Sequence, residues 1–548
     1  MKTKRIAPTR SAYSFPLLIK HMLNTPRIYA PDQEIVYRDI LRYDYRTFGR
    51  RVAQLASMLR DRGVGPGDTV AVMDWDSHRY LECFFAVPMM GAVLHTVNIR
   101  LTPEQLIYTI NHAEDDVILV NEDFAPLLES VKDRFETVKR IIFMTDKGAI
   151  PGGGLEFAGE YEDLIAKAPP EYDFPDFDEN TMATTFYTTG TTGLPKGVFF
   201  SHRQIVLHTY GAMSGLCAYA SQANINSADV YMPMTPMFHV HAWGMPYLMT
   251  LLGAKQVYPG RYEPEMLLKL IVGEKVTYSH CVPTIMNMLV TSPSIHAVDL
   301  KGWKVIIGGS ALSKGLCRAA LAHGINLYTG YGMSETCPLL SLANIKPHML
   351  EWGEEEQVEI RCKTGLPVPY VQLEIVDLQG RPVAHDGKTP GEVVARAPWL
   401  TQGYVKSEEQ SEELWKDGWL HTGDIGVIDR EGYLKITDRL KDVIKSGGEW
   451  ISSLELEDII SQHEAVGEVA VVGIPDEKWG ERPMAMVVPK TGFQDTLTEA
   501  DIQNFCMTFV EQGRLPKYGI PSKVVFDTNI PKTSVGKISK KDIRAEYR

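Results

Sequence analysis

The stretch from Tyr187 to Gly197 (YTTGTTGLPKG) holds the residues whose types and spacing most directly suggest chemistry. Its glycines let backbone N–H groups converge on an anion, its hydroxyls add donors, and Lys196 adds a mobile positive charge. Such a loop suits a triphosphate. It is not a P-loop, because that motif needs a glycine directly before the lysine and Pro195 stands there. The alternative is a flexible surface turn without a ligand.

Two further glycine-bearing segments follow predicted strands. The apolar strand Lys304–Ile307 ends in the Gly-Gly-Ser of residues 308–310, and Leu327–Thr329 leads into the Gly-Tyr-Gly of residues 330–332. In open α/β sheets, ligands bind where strands end in such loops. We therefore expect these segments and the loop at 187–197 to form one shared site.

Strand and helix patterns alternate through the first three hundred residues. For example, the apolar strand Thr69–Met73 precedes a helical stretch from His78 to Met90. This alternation predicts an α/β architecture with a largely parallel sheet. Near Asp438 the sequence becomes charged and then glycine-bearing, and a short α+β pattern follows. We predict a large domain at residues 1–438 and a small domain at residues 439–548.

The composition argues against several classes of protein. The 548 residues are 44% apolar and 23% charged with a net charge of −13, which is typical of a soluble protein and unsuited to a nucleic-acid partner. The seven cysteines lack the spacing of a zinc site or a disulfide framework, so we predict a cytoplasmic location. The apolar runs at residues 83–97 and 243–254 are too short to span a bilayer, and we predict both as buried helices.

Four more motifs lie between the middle and the end of the chain. They are YGMSET at residues 331–336, HTGD at 421–424, RLKD at 439–442 and PKTSVGK at 531–537. With the loop at 187–197, they stand in the order found in one family and span nearly the whole chain. On these residues the sequence resembles the adenylate-forming enzymes, which include acyl-CoA synthetases, luciferases and nonribosomal peptide adenylation domains.

The resemblance implies both a fold and a reaction. The implied fold is α/β, with a large N-terminal domain of layered α/β sheets and a distorted β-barrel, followed by a small mobile C-terminal α+β domain. In the implied reaction, a carboxylic acid and ATP form an acyl-adenylate and pyrophosphate, and the acyl group then passes to CoA with release of AMP. Mg²⁺ would bind the phosphates. The implied partners are a small carboxylic acid and CoA, with no nucleic acid and no membrane span.

The family pattern also assigns a nucleotide site residue by residue. Tyr331 would stack on adenine, Asp424 would accept hydrogen bonds from the ribose hydroxyls, and Arg439 would contact the phosphates. Thr188 and Glu335 would bind Mg²⁺. The residues implied for ATP are Thr188, Thr189, Gly190, Thr191, Thr192, Gly193, Lys196, Gly309, Ser310, Ala311, Tyr331, Gly332, Met333, Ser334, Asp424 and Arg439.

The resemblance assigns catalysis to a C-terminal lysine and motion to a hinge. Lys537 is the implied adenylation catalyst, because a cation there can bridge the attacking carboxylate and the α-phosphate. Lys441 is the implied hinge about which the small domain rotates between two half-reactions. In the second pose Gly447, Gly448 and Trp450 would face CoA. The implied catalytic residues are Lys537, Glu335, His239 and Trp399, the last for thioester formation.

The acid-pocket segment narrows the substrate. Amino-acid adenylation domains place an aspartate after its phenylalanine, whereas His239 follows Phe238 here, so a substrate ammonium would stay unpaired. Residues 201–208, 237–243 and 445–452 are most similar to medium- and long-chain fatty acid ligases and to methylmercaptopropionate–CoA ligases. The implied acid-binding residues are His239, Trp243 (which matches a gating tryptophan), Val282, Pro283, Gly308 and Cys337.

The leading hypothesis is an AMP-forming acid–CoA ligase for a small to medium-chain aliphatic acid. A ligase for a specialised acid such as methylmercaptopropionate, a luciferase-like oxygenase and a non-catalytic nucleotide-binding homologue stay open as alternatives. The sequence leaves the oligomeric state open as well, although the related fatty acid enzymes often form homodimers.

Overall fold

The fold is that of a computed structural model, which describes residues 3–148, 153–188, 194–219, 221, 224–377, 379–446, 449–533 and 537–547. The strands in these ranges are β1 Glu34–Tyr37, β2 Leu41–Asp44, β3 Thr69–Met73, β4 Val93–Thr96, β5 Asp115–Asn121, β6 Arg140–Met144, β7 Met182–Tyr187, β8 Gly197–Ser201, β9 Val230–Met234, β10 Lys255–Tyr258, β11 Tyr278–Cys281, β12 Lys304–Ile307, β13 Asn326–Gly332, β14 Leu339–Leu342, β15 Leu366–Pro367, β16 Gln372–Val376, β17 Gly391–Arg396, β18 Trp415–Lys416, β19 Trp419–Ile428, β20 Leu434–Arg439, β21 Ile444–Ser446, β22 Glu449–Ile451, β23 Val466–Asp476, β24 Gly480–Pro489 and β25 Lys523–Phe526.

Helical segments connect these strands. They are α1 Asn24–Tyr29, α2 Tyr45–Asp61, α3 His78–Met89, α4 Pro103–Ala113, α5 Ala125–Val131, α6 Tyr161–Lys167, α7 His202–Cys217, α8 Val240–Trp243, α9 Met245–Leu252, α10 Pro264–Gly273, α11 Pro283–Val290, α12 Lys314–Ala322, α13 Glu354–Arg361, α14 Glu408–Leu414, α15 Ser453–Ser461, α16 Glu499–Glu511 and α17 Lys540–Glu546, with short 3₁₀ turns at Ile19–Leu23, Lys132–Arg134, Pro293–Ala297, Ser334–Thr336, Pro347–Met349 and Lys517–Gly519.

The strands β3 to β8 form a six-stranded sheet in the order β6-β5-β3-β4-β7-β8. All neighbours are parallel except β7 and β8, which are antiparallel. The predicted strand Thr69–Met73 is β3, and every one of its residues is buried. Strands that are apolar throughout are typical of parallel sheets covered on both faces. The predicted layered α/β architecture is confirmed.

Only one of the two long apolar runs is a helix. Within residues 83–97, α3 ends at Met89, Gly91 takes a φ of 85°, and the chain continues as strand β4. The prediction of one buried helix there is wrong, because glycine at positive φ ends a helix at little cost. In the second run α9 is the predicted buried helix. No helix in the part of the chain that the structure describes is long and apolar enough to cross a membrane.

A second, nine-stranded sheet has the order β15-β14-β13-β12-β11-β9-β10-β1-β2. Its strands β9 to β13 are parallel, so the carboxyl ends of β11 and β12 lie side by side, with Cys281 opposite Ile307. The predicted loop at residues 330–332 is instead the end of β13, because Tyr331 pairs with Ser341 of the antiparallel β14. These three strand ends form one edge of the sheet.

Two smaller sheets complete the fold. The strands β16 to β20 form an antiparallel sheet. The distorted β-barrel stays a prediction. After β20 the chain turns, with the N–H groups of Asp442 and Val443 donating to the Arg439 carbonyl at 2.8 and 3.0 Å. It then enters the sheet of β21 to β25, which packs with α15, α16 and α17 as the predicted smaller α+β domain. The boundary at 438/439 stays a prediction and falls at the last residue of β20.

Gly365 ties the edge of the nine-stranded sheet to β20. Its N–H donates to the Leu434 carbonyl at 3.1 Å, and its carbonyl accepts from the Leu434 N–H at 2.9 Å. A Cβ at this position would overlap the backbone of Leu342. Gly302 provides a comparison, because it also has positive φ (84° against 108° at Gly365) but has open space around it.

We expect Gly365→Ala to lower the midpoint of urea unfolding far more than Gly302→Ala. Both replacements put alanine at positive φ, which costs about 1–2 kcal/mol, but only Gly365→Ala adds a collision with backbone that cannot move aside. Equal shifts for the two variants would contradict this account of the sheet junction.

Candidate active site

A cleft lies along the edge where the strands of the nine-stranded sheet end. It encloses about 600 Å³ of space that is partly open to solvent. Its walls are mainly apolar side chains and glycine backbone, which lets a ligand lie close to the main chain. Segments that are distant in sequence meet here. The lining residues are Ala212, Leu216, His239, Val240, Trp243, Met245, Ile306, Gly308, Gly309, Gly330, Tyr331, Gly332, Met333, Ser334, Pro338, Leu339 and Lys537.

The predicted phosphate loop connects the antiparallel strands β7 and β8. Its base is closed by two hydrogen bonds. The Thr188 N–H donates to the Lys196 carbonyl at 2.9 Å, and the Lys196 N–H donates to the Thr188 hydroxyl at 3.2 Å. Five of the predicted ATP-binding residues lie outside the described residues, namely Thr189, Gly190, Thr191, Thr192 and Gly193.

Tyr404 links this loop to Glu335 and was not predicted from the sequence. Its hydroxyl donates to Glu335 Oε1 at 2.7 Å. Lys196 Nζ lies 4.7 Å from the centre of the Tyr404 ring, within the range of a cation–π contact. The tyrosine lies 69 residues beyond Glu335 and outside every motif, so only the folded chain brings the two together.

Glu335 is the carboxylate that fits Mg²⁺ at this site. It is buried, and the Tyr404 hydroxyl fixes its orientation. Within the described ranges, no group of three or more His, Cys, Asp or Glu side chains could hold a metal by itself. A single carboxylate is nevertheless suited to Mg²⁺, which usually takes one or two carboxylates and completes its shell with phosphates and water.

At the predicted nucleotide end of the cleft, Tyr331, Asp424 and Arg439 form one polar group. The Tyr331 hydroxyl donates to Asp424 Oδ2 at 2.7 Å, and Arg439 Nε lies 3.1 Å from Asp424 Oδ1. Asp424 is buried at the β19–β20 pair, where it stands opposite Arg439. Burial raises the pKa of Tyr331 well above its usual value, so this phenol stays a hydrogen-bond donor. The three predicted residues are thus brought together.

Lys537 reaches into the same cleft from the C-terminal part of the chain. A Cβ on Gly309 would lie 2.9 Å from Lys537 Cε, so the side chain passes directly over this glycine. Burial and the nearby Arg439 guanidinium lower the pKa of Lys537 to about 8, although Asp424 and Glu335 oppose this change. The ammonium is therefore surrounded by the groups predicted to hold ATP and Mg²⁺.

His239 and Trp243 line the part of the cleft that is predicted to bind the acid. Trp243 lies against Gly308, where a Cβ would be 2.8 Å from its ring, and its centroid is 4.9 Å from that of the buried His280. Burial and Lys537 lower the pKa of His239 to about 3, so its imidazole is neutral. Val282 is also close, with its Cγ1 3.2 Å from a Cβ placed on Gly309.

Several predicted site residues lie outside the cleft lining. Trp399 is buried behind it, where it packs on Gly211 of α7, and Pro338 takes the lining position expected for Cys337. Their predicted roles stay predictions. Also outside the lining are Pro283 in the first turn of α11, the exposed Ser310 and Ala311, Lys441 in the turn after β20, and the residues Val282, Thr188, Lys196, Glu335, Asp424 and Arg439, whose contacts are given above. Gly447, Gly448 and the Trp450 side chain lie outside what the structure describes.

The acid-pocket segment has an unusual backbone that the sequence did not predict. The residues of α8, Val240 to Trp243, have φ values of 47, 55, 47 and 59°. They form a left-handed turn, a conformation that costs about 1–2 kcal/mol for each non-glycine residue. Strained backbone of this kind persists only where neighbouring groups hold it in place.

Asp76 is one of the groups that hold this segment. Its Oδ1 accepts from the Met237 N–H at 2.8 Å, and its Oδ2 accepts from the Tyr262 hydroxyl. Burial raises the pKa of Asp76 to about 7. It lies 161 residues before Met237, so no local pattern could mark it. Asp76 positions the segment that carries His239 and Trp243.

Comparison with known proteins identifies the family of this chain. The profile of AMP-binding enzymes matches residues 28–405, and that of the AMP-binding enzyme C-terminal domain matches residues 455–537. In fold, an anthranilate CoA ligase in complex with anthranoyl-AMP superposes with a TM-score of 0.85 at 23% identity, covering 97% of this chain and 98% of the other. The chain belongs to the AMP-binding enzyme family, as predicted.

The curated relatives narrow the activity. A long-chain-fatty-acid–CoA ligase of Thermus thermophilus is 42% identical over 94% of this chain and 93% of its own length. A 3-methylmercaptopropionyl-CoA ligase of Ruegeria pomeroyi is 37% identical over 90% of both chains, and a medium-chain-fatty-acid–CoA ligase of Ectopseudomonas oleovorans is 35% identical over 93% and 91%. The protein is an ATP-dependent, AMP-forming acid–CoA ligase, that is, an acyl-CoA synthetase.

We compare the free energy of unfolding of Asp76→Asn with that of the unchanged protein at each pH. The variant's value minus that of the unchanged protein should rise by about 2–3 kcal/mol between pH 5 and pH 8. The pKa of Asp76 is raised from 3.8 to about 7 on folding. The stability that protonation provides is therefore present at low pH and lost as the pH rises through 7, whereas asparagine cannot ionise. Urea unfolding at several pH values measures the difference, with the exposed Asp61→Asn as control. If the difference in unfolding free energy between Asp76→Asn and the unchanged protein did not vary with pH, the raised pKa of Asp76 would be contradicted.

Proposed function

We propose that the enzyme activates small to medium-chain aliphatic acids, with Mg²⁺ bound to the ATP phosphates and CoA as the acceptor. The observation that carries the proposal is the acid end of the cleft. Its walls are apolar, Trp243 closes it against Gly308, and the described lining contains no carboxylate that could pair with a substrate ammonium. An uncharged chain of limited length suits such a pocket.

In the first half-reaction, a carboxylate oxygen of the acid attacks the α-phosphorus of ATP. The bond from that phosphorus to the pyrophosphate oxygen breaks, and the acyl-adenylate remains. Lys537 stabilises the charge that develops between the carboxylate and the α-phosphate. Mg²⁺, when bound at Glu335, supplies further charge neutralisation on the phosphates. Tyr331 and Asp424 hold the adenosine, and Arg439 contacts the phosphates.

The neutral His239 suits the acid end of this reaction. Because burial and Lys537 depress its pKa to about 3, it can donate one hydrogen bond to the carboxylate without adding a competing positive charge beside Lys537. The carboxylate is then held between a neutral donor and a cation, which leaves one oxygen aligned with the α-phosphorus.

In the second half-reaction, the thiol sulfur of CoA attacks the acyl carbon of the adenylate. The bond from carbon to the AMP oxygen breaks, which gives the thioester and AMP. We propose that the C-terminal domain first rotates about Lys441, so that Lys537 leaves the cleft and the segment with Gly447, Gly448 and Trp450 faces CoA. The turn between β20 and β21, held by the Arg439 carbonyl, is suited to absorb this rotation.

We expect Lys537→Ala to reduce acid-dependent ATP–pyrophosphate exchange by a factor on the order of 10² or more, while thioester formation from supplied acyl-adenylate and CoA is largely spared. The reason is that the ammonium stabilises charge only in the first step. The exposed Lys541→Ala provides a matched loss of one lysine and should change neither rate. Equal losses in both half-reactions would refute the assignment of Lys537.

We expect the acid preference to peak among unbranched and singly branched aliphatic acids of small to medium length, with no activity on amino acids. A pyrophosphate-release screen over short, medium, branched, aromatic, thioether and amino acids measures it. Methylmercaptopropionate belongs in the panel, because two relatives at 37% identity are 3-methylmercaptopropionyl-CoA ligases. A strong preference for that acid over its aliphatic isosteres would favour the specialised alternative.

Trp243→Ala checks the structural basis of this preference. Removing the ring that lies against Gly308 and His280 should move the optimum towards longer chains, whereas the exposed Trp479→Ala should leave it in place. An unchanged optimum in Trp243→Ala would show that another residue limits the chain.

A further inference from the structure

The helix α15 of the C-terminal domain contacts the beginning of α12 in the N-terminal domain. Asp458 Oδ1 accepts from the Lys314 backbone N–H at 3.2 Å. This N–H belongs to the first turn of α12, where the backbone donors lack partners within the helix and the helix dipole favours a negative charge. A carboxylate from one domain thus docks on the N-terminal end of a helix from the other.

The same contact depends on a glycine. A Cβ on Gly315 would lie 3.0 Å from the backbone oxygen of Ser461, which is closer than a methyl group and a carbonyl normally approach. Gly315 therefore allows the last turn of α15 to lie directly on the first turn of α12. Since the clash involves a residue of the other domain, it exists only while the two helices are docked.

The opposite end of α15 is attached close to the proposed hinge. The N–H and the hydroxyl of Ser453 both donate to Asp438 of β20, at 2.7 and 2.8 Å. Lys540 of α17 donates to the Ser453 hydroxyl at 2.7 Å and pairs with Glu457 at the same distance. The first turn of α15 is therefore held near the end of β20.

These two attachments differ in their distance from the hinge. With a rise of about 1.5 Å per residue, the last turn of α15 lies about 12 Å from the end held by Asp438. A rotation that begins just after β20 moves the near end little and carries the far end away from α12. Contacts of Asp458 and Ser461 with α12 must then break, although the contact with Asp438 need not.

A second contact between the two domains supports the same docked arrangement. Glu468 pairs with Lys532 at 2.9 Å and accepts from the Asn287 side chain of α11 at 3.5 Å. Lys532 belongs to the same motif as Lys537. This bridge therefore connects the segment that carries the catalytic lysine to the N-terminal domain.

We propose that Asp458 and Gly315 form a latch that holds the C-terminal domain in the adenylation pose and so sets the balance between the two half-reactions. The inference rests on the proposed two-pose mechanism. Asp458 acts here as a positioning residue, because it touches neither the cleft nor its ligands. A weaker latch removes Lys537 from the cleft more often and leaves the thioester-forming pose unimpaired.

The test measures both half-reactions in single turnovers. For Asp458→Ala we expect pyrophosphate exchange to fall about three- to tenfold, the effect of losing one hydrogen bond of ordinary strength. Thioester formation from supplied acyl-adenylate and CoA should stay the same or rise. Asp458→Asn keeps an acceptor without the charge and should give an intermediate result. Glu104→Gln, which removes an exposed ion pair with Arg134 away from α12 and α15, should change neither rate.

Gly315→Ala separates the latch from folding. Alanine favours a helix over glycine, so the variant should unfold at the same or a higher temperature, yet its added methyl group opposes docking and should lower pyrophosphate exchange. The latch would be overturned if Asp458→Ala or Gly315→Ala slowed both half-reactions equally. It would also be overturned if neither variant slowed pyrophosphate exchange. If such a result comes with a Lys537→Ala variant that loses only pyrophosphate exchange, the latch alone has failed. If Lys537→Ala also slows both half-reactions equally, the proposed role of Lys537 in the first half-reaction has failed as well.

Discussion

The close approach of Lys537 to Gly309 is the contact on which the active site depends. The cleft is built from the N-terminal domain, but its cation comes from the end of the chain, so the site is complete only while the domains are docked. Docking brings the ammonium near the Arg439 guanidinium, and the repulsion is offset only in part by Asp424 and Glu335. A polyphosphate supplies the negative charge that this cluster lacks. Nucleotide binding and docking should therefore reinforce each other, because ATP binds the docked state more tightly.

The same constraint explains why polar contacts suit the described interface between the domains. A large apolar interface would hold one pose permanently, whereas the proposed reaction needs both. The contacts at Asp458, Gly315 and Glu468 are single hydrogen bonds, ion pairs and close backbone packing. Each is weak enough to break during turnover. By contrast, the contacts between Asp438, Ser453 and Lys540 near the hinge are buried and mutually bonded.

The fold class could be predicted because strand and helix patterns alternate along the chain. The motifs also indicated correctly that Tyr331, Asp424 and Arg439 lie together, whereas their roles at the nucleotide stay predictions. Strand β3 and the predicted strand at 304–307 have the predicted bounds, since both are continuous apolar runs ended by glycine or polar residues. Tyr404 and Asp76 could not be predicted. Each acts through contacts with residues far away in sequence, and neither lies in a recognisable motif. The prediction of a single helix over residues 83–97 was wrong, because hydrophobicity alone does not show where a helix ends and a strand begins.

The left-handed turn from Val240 to Trp243 has a consequence for how this pocket can change over evolution. The four residues occupy a conformation that glycine tolerates best, so glycine at Ala242 would relieve backbone strain at the loss of one buried methyl group. Such a replacement would also free the turn to adopt other shapes, and the pocket wall would lose its definition. Low backbone strain and a sharply shaped pocket thus oppose each other at this turn.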